Sequence, residues 1–180
     1  MTACVSLFRG INVGGNHKVK MSDLKNLHES LGLREVLPYI QSGNVVFQSD
    51  DGDPRQIQGQ IETSFEKAFG FHSDVFVRTT DELQEIIEKS PFQSEQSQEP
   101  QWVAVMFLAT CPDIAAQEDL LKSSVGPEKI FIFGKEMYIY YANGVGRSKL
   151  SHTLIEKKLK TSGTGRNWNT VLQLQKLLQR

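Results

Sequence analysis

Twice in this chain two short apolar segments meet across a turn that contains glycine. Val36 to Gln41 and Asn44 to Gln48 flank Ser42-Gly43, and Ile130 to Phe133 and Met137 to Tyr140 flank Gly134-Lys135. Glycine reaches the positive φ of a tight turn without steric cost, so each pair reads as an antiparallel hairpin. Pro38 has no N–H to give a ladder, which places the first hairpin's leading strand at a sheet edge or a bend.

The surroundings of the hairpins repeat as well. Cys4 to Phe8 reads as a strand, and Leu24, Leu27 and Leu31 mark a helix between a Ser22 N-cap and a Gly32 stop. Beyond the first hairpin, Asp53-Pro54 opens a helix with Ile57, Ile61, Phe65 and Phe69 on one face. A strand over Asp74 to Arg78 completes β-α-β-β-α-β, the ferredoxin-like order, and a short helix with Leu83, Ile86 and Ile87 ends at Ser90-Pro91. Gln93 to Gln101 is polar without an apolar period and reads as a linker. The grammar then returns: a strand over Trp102 to Leu108, a helix from Pro112 to about Ser124, the second hairpin, and a helix from about Ser151 to Lys160. A last helix with Val171, Leu174 and Leu178 on one face takes the place of the closing strand. The pattern predicts an α+β fold of two successive ferredoxin-like β-α-β-β-α units, antiparallel sheets with helices on one face. The units span 1–92 and 101–180, with 93–100 between them.

A chain of 180 residues is long enough for a real core, burying roughly 70% of its unfolded surface. Its longest apolar run, Trp102 to Ala109, is far short of the roughly 20 residues that span a bilayer. The first residues lack the basic region and cleavage site of a signal peptide, so no membrane role and a cytoplasmic location are expected. Cys4 and Cys111 are distant in sequence and read as buried thiols. His17, His28, His72 and His152 fall in no metal-ligand spacing, so neither a metal nor another cofactor is expected.

Charge is segregated. From Val145 onward eight Lys and Arg stand against one acid, Glu156, a local +7 inside a net charge of −1. Acids normally occupy the first turn of a helix, where the dipole is positive, and Asp53, Asp81, Glu82 and Asp113 conform. Three glycine-containing helix entrances do not. Arg9, Asn12, Gly14, Gly15 and Lys18 precede the first helix, Arg147, Ser148 and Lys149 precede the helix near Ser151, and Arg166 and Asn167 precede the last. Glycine permits close backbone approach, free N–H groups point outward, and Arg or Lys adds full charge, a combination that suits phosphate or carboxylate. Gln41 and Asn44 add neutral hydrogen-bonding groups. The reading requires Arg9, Arg147 and Arg166 to converge on one electropositive hollow.

Known motifs fit poorly. Gly10 and Gly15 have P-loop spacing, but Asn16-His17 stands where Lys and a hydroxyl are needed. Gly144-Val145-Gly146 lacks the third glycine of a dinucleotide fingerprint. Ser42 is not in a nucleophile elbow, and Ser148 has no sequence-identifiable base, so no catalytic residue is assigned. Trp168 reads either as a base-stacking ring or as a hydrophobic staple of the last helix.

Leu7-Phe8-Arg9-Gly10-Ile11-Asn12-Val13-Gly14-Gly15, Lys18-Val19-Lys20-Met21 and Tyr39-Ile40-Gln41-Ser42-Gly43-Asn44-Val45-Val46-Phe47 closely resemble the opening of a bacterial domain-of-unknown-function family, number sixteen ninety-seven. Gly144 to Leu150 and Arg166 to Val171 look like its C-terminal signatures. The resemblance implies a bacterial α+β protein of ferredoxin-like character and carries no activity with it. The leading functional expectation is a site for a phosphorylated small molecule or nucleotide. The alternatives are a nucleic-acid-binding module using the +7 region and a protein-interaction scaffold without a ligand. Oligomeric state has no signal in the sequence.

Overall fold

The computed structural model describes residues 1–123 and 126–180. It divides into two compact units, Met1–Glu85 with Gln173–Arg180, and Ile86–Leu172. The first unit runs β1 (Thr2–Phe8), α1 (Met21–Ser30), β2 (Arg34–Tyr39), β3 (Asn44–Ser49), α2 (Pro54–Phe69) and β4 (Val75–Thr79). Next come α3 (Thr80–Glu88) and α4 (Gln93–Gln98). The second unit continues as β5 (Val103–Leu108), α5 (Ile114–Ser123), β6 (Lys129–Phe133), β7 (Glu136–Tyr140), α6 (His152–Leu159) and β8 (Gly163–Asn167), and α7 (Trp168–Leu178) follows. The strand orders β2-β3-β1-β4 and β6-β7-β5-β8 are the same order written twice. All pairings in both sheets are antiparallel. The unit boundaries fall inside α3 and α7, and the 93–100 stretch, read as a linker, contains α4.

The repeat is more complete than the sequence pattern implied. Residues Gly163–Asn167, expected as a glycine-rich entrance to the last helix, form β8 and pair with β5 from Ala104↔Asn167 to Leu108↔Gly163. Glycine is rare inside strands because it packs nothing, yet here close neighbours require it. A Cβ at Gly163 would lie 2.9 Å from the Phe107 carbonyl oxygen, and one at Gly165 would lie 3.2 Å from the His152 ring.

Each unit buries one sheet face under two helices. In the first, Cys4, Phe8, Val45, Phe47, Val75 and Val77 meet Leu24 and Leu27 of α1 and Ile57, Ile61 and Phe65 of α2. In the second, Met106, Leu108, Met137 and Ile139 meet Leu120 of α5 and Ile155 and Leu159 of α6. The closing strands are guarded in the same way. Glu62 of α2 accepts from the Val75 N–H at 2.9 Å, and Glu156 of α6 accepts from the Gly163 N–H at 3.2 Å. Edge N–H groups satisfied by a helix carboxylate offer no template to another strand. Pro38 lies on β2, an edge strand, beyond a register shift between Arg34 and Leu37.

Local signals mostly behave as their chemistry dictates. Asp53 caps α2, accepting from Arg55 N at 3.0 Å, and Gly32 follows α1 at φ +79°. Ser22 does not cap α1: the N-cap is Lys20, whose carbonyl already accepts from Leu24 N at 3.1 Å, so Ser22 lies in the first turn. Cys4 is buried, and burial pushes its thiol up to about 11. Cys111, also expected buried, is exposed, in the turn between β5 and α5 where the apolar run has ended. No helix among the described residues is long and apolar enough to cross a membrane.

Two features of the first unit are under particular constraint. Gly43 has φ +88°, and a Cβ there would lie 2.6 Å from Ile11 Cδ1 and 2.9 Å from Phe8 Cβ. His28 is fully buried between Phe8 and Phe47. Its Nδ1 lies 2.7 Å from the Leu24 carbonyl, which only accepts, so Nδ1 carries the proton and Nε2 accepts from the Ser6 hydroxyl at 2.9 Å. Burial lowers the ring's pKa to about 4.

Gly43→Ala should therefore cost about 2–4 kcal/mol in urea unfolding, combining left-handed strain with overpacking. Gly14→Ala, at φ +59° in open space, should cost only about 1–2 kcal/mol. Because His28 titrates lower folded than unfolded, the unfolded chain binds its proton first as pH falls. Stability should decline from about pH 6.5 to about pH 4 by up to about 3 kcal/mol. His28→Gln should flatten the unfolding free energy over that window.

Candidate functional site

In the second unit the chain leaves β7, turns through Asn143 and Gly144, and makes a single 3-10 turn over Val145–Arg147 before α6. Gly144 takes φ +83° against the Trp102 indole. Ser151 then caps α6, accepting from Leu154 N at 3.1 Å. Between this loop and the segment before β6 lies a cavity of about 320 Å³, lined by Ser123, Gly126, Pro127, Glu128, Arg147, Lys149, Leu150 and Leu154. Ser148 holds its two sides together. Its hydroxyl donates to Glu128 Oε1 at 2.5 Å and accepts from Leu150 N at 3.0 Å. Among the described residues neither Arg147 nor Lys149 has an ion-pair partner. The neighbouring Tyr141 is pushed up to about 12, by burial and then by the Glu128 charge.

The equivalent place in the first unit has the opposite charge. There the loop from β3 to α2 is Asp50-Asp51-Gly52-Asp53, and Arg34, at the start of β2, pairs with Asp50. Arg34 and Glu128 thus stand at matching ends of their second strands, each tying down the loop that follows the third strand. One tie is a cation on an acidic loop, the other a carboxylate on a basic loop.

The loop after β1 is organised by Asn12. At φ +55° its side chain accepts from Val19 N at 2.8 Å and donates to the carbonyls of Val19 at 3.0 Å and Gln41 at 2.9 Å. Gly14 and Gly15, both at positive φ, form the tip of a small hairpin closed by Asn16 N on the Val13 carbonyl at 3.0 Å. His17 stacks on Phe71, 4.3 Å between centroids. Arg9 and Lys18 are exposed, as is Gln41. Asn44 is fully buried, its amide donating to the Tyr39 carbonyl and Ser42 Oγ, which makes it part of the hairpin turn.

Arg166 stands just before the first turn of α7, but as part of a strand and not of a glycine loop. It sits on β8 opposite Val105 and is 7% exposed, with Nη1 donating to Thr164 Oγ1 at 2.8 Å and the Gly165 carbonyl at 2.9 Å. Burial lowers its pKa to about 10. Paired antiparallel residues share a face, so Arg166 lies with Val105 and Tyr138. The cavity's Leu150 and Leu154 belong with Met106 and Met137 on the other face. Arg147 and Arg166 therefore do not meet. Arg78 repeats the arrangement in the first unit: buried, fourth in its strand, opposite Val5. Asn167 accepts from Thr170 N at 3.0 Å at the start of α7. Trp168 is buried, which excludes a ring displayed for base stacking.

A family model described as "Protein of unknown function (DUF1697)" matches residues 1–138. The chain belongs to this family. The solved structure of the conserved bacterial protein SP0830 from Streptococcus pneumoniae is similar, with TM-score 0.73 and 25% sequence identity over 98% of this chain and 98% of that one. No curated protein matches. The matched span of DUF1697 includes Glu128 and the whole loop after β1, and it ends before the Gly144–Leu150 loop.

Glu128, Pro127 and the two leucines were missed as site residues in this DUF1697 chain. Glu128 is twenty positions from Ser148, in a turn before a strand, and only the pairing of β6 with β7 brings it to the loop. Ser148→Ala removes the donor to Glu128 and the acceptor for Leu150 N, and should cost about 1–2 kcal/mol in urea unfolding. Glu128→Gln, which keeps an oxygen to accept from Ser148, should cost less than half of that.

Proposed function

We propose that this protein binds a phosphorylated small molecule or nucleotide, with the anionic group held by Arg147 and Lys149 at the cavity of the second unit. The observation that carries this reading is two cations without acid partners on the wall of one concave space. Arg147 and Lys149 are exposed, as lysines and arginines ordinarily are, but two cations on one wall of a concave space act together on an anion that enters it. At about 320 Å³ the cavity is at the small end of the usual range for ligand sites. Leu150 and Leu154 supply apolar wall. In the first unit, Arg9 and Lys18 are exposed on the loop ordered by Asn12.

Nucleic-acid binding through the +7 region is less well supported. Arg166 is buried, Lys158 is paired with Asp119 at 3.3 Å, and Lys176 and Arg180 belong to the other unit. The cations that remain are fewer than a phosphate-tracking stripe would use.

A thermal-shift panel of nucleoside phosphates, sugar phosphates and singly charged phosphodiesters such as cyclic nucleotides tests the proposal. A member at about 100 times its dissociation constant adds about 2.7 kcal/mol, a rise of about 5–10 °C for a chain of this size. Arg147→Ala should abolish that rise while leaving the unliganded midpoint within about 1 °C. Failure of every anion to stabilise the wild type would overturn the reading. A log-affinity against log-salt slope of several charges would move it to nucleic acid.

A further inference from the structure

We infer that Glu128 lowers the cavity's preference for doubly over singly charged anions, so that a phosphodiester or another monoanion competes better against a dianionic phosphate monoester than it would without the carboxylate. The inference rests on the anion-binding reading above. Three charged side chains line the cavity, Arg147, Lys149 and Glu128, and together they carry a single positive charge. The carboxylate opposes every negative charge that a ligand brings, so it costs a dianion about twice the energy that it costs a monoanion. Within one small cavity that difference is worth on the order of tenfold in relative affinity.

Glu128 does not swing clear of the site, because Ser148 donates to its Oε1 at 2.5 Å and Ser148 is itself fixed by Leu150 N. The carboxylate therefore has two separable effects: its oxygen ties the loop, and its charge sets what the loop's cations can hold. The first unit shows that a tie at this place does not require an acid, since Arg34 does the same work on Asp50. A carboxylate on a basic loop is a placement that lowers affinity for highly charged anions, so its consequence is discrimination.

The test uses dimethyl phosphate, a monoanion, and methyl phosphate, a dianion at pH 8 because its second pKa is about 6, titrated into the full-length protein by NMR. The ratio of the two affinities in the wild type is the reference for the variants. Glu128→Gln retains the oxygen that accepts from Ser148 and loses the charge. It should raise the affinity for methyl phosphate about tenfold more than that for dimethyl phosphate. Glu128→Asp, which keeps the charge, should retain the wild-type preference. If Glu128→Gln leaves the ratio unchanged while Arg147→Ala abolishes both interactions, the selectivity is wrong and the anion site stands. If the wild type binds neither probe, or binds them unaffected by Arg147→Ala, the anion site fails and the selectivity with it.

Discussion

Everything in each unit is arranged around one strand that is paired on both sides. β1 holds β3 and β4, and β5 holds β7 and β8, with residues of both strand faces buried. A strand so placed directs its N–H and C=O groups to two neighbours and buries most of both faces, which is why Val103 to Leu108 is a continuous apolar run and Cys4 to Phe8 is broken only by the buried Ser6. Antiparallel pairing then decides where the loops emerge. Within a repeat, the loop after the first strand and the loop after the third strand leave at opposite ends. The Asn12 loop is at one end of its unit, and the Arg147 loop is at the other end of its own.

That geometry separates what was legible in the sequence from what was not. The hairpins were legible because Gly43 and Gly134 mark turns between β-branched and aromatic runs. α2 was legible because Asp53, Pro54 and Gly70 bracket an apolar face. β8 was not, because Gly-Thr-Gly-Arg-Asn has the composition of a loop. Its glycines are there to admit the Phe107 carbonyl and the His152 ring, neighbours more than ten positions away. Once β8 is a strand, Arg166 and Trp168 follow: alternation and burial take both from solvent. The positive character assigned to that segment came from counting a charge that the fold places in its interior.

The two repeats also separate architecture from function. Their strand order, their helix carboxylates on the closing strands and their buried Arg78 and Arg166 correspond, whereas the loops after the third strands are acidic in one and basic in the other. A fold that accepts either charge at one position is indifferent to it. The charge is then explained by what the loop meets, and function is argued from the site and not from the fold. In the first unit the meeting is internal, with Asp53 on the start of α2 and Asp50 on Arg34. In the second, Arg147 and Lys149 have no such partner among the described residues.

Why one carboxylate should matter beside two cations follows from where the three lie. The Lys25–Glu29 and Arg34–Asp50 pairs are about half exposed or more, and water screens them to a small fraction of a kilocalorie up to about one. Arg147 and Lys149 are exposed too and Glu128 is half-buried, but the three line one small cavity with Leu150, Leu154 and Pro127, so that each charge acts at short range on whatever enters. Deleting Glu128 from that wall would leave two cations and tilt any anion binding there further toward doubly charged ligands. Keeping it, and fixing it with the hydroxyl that lies between the two cations in sequence, would cost a doubly charged ligand more than a singly charged one.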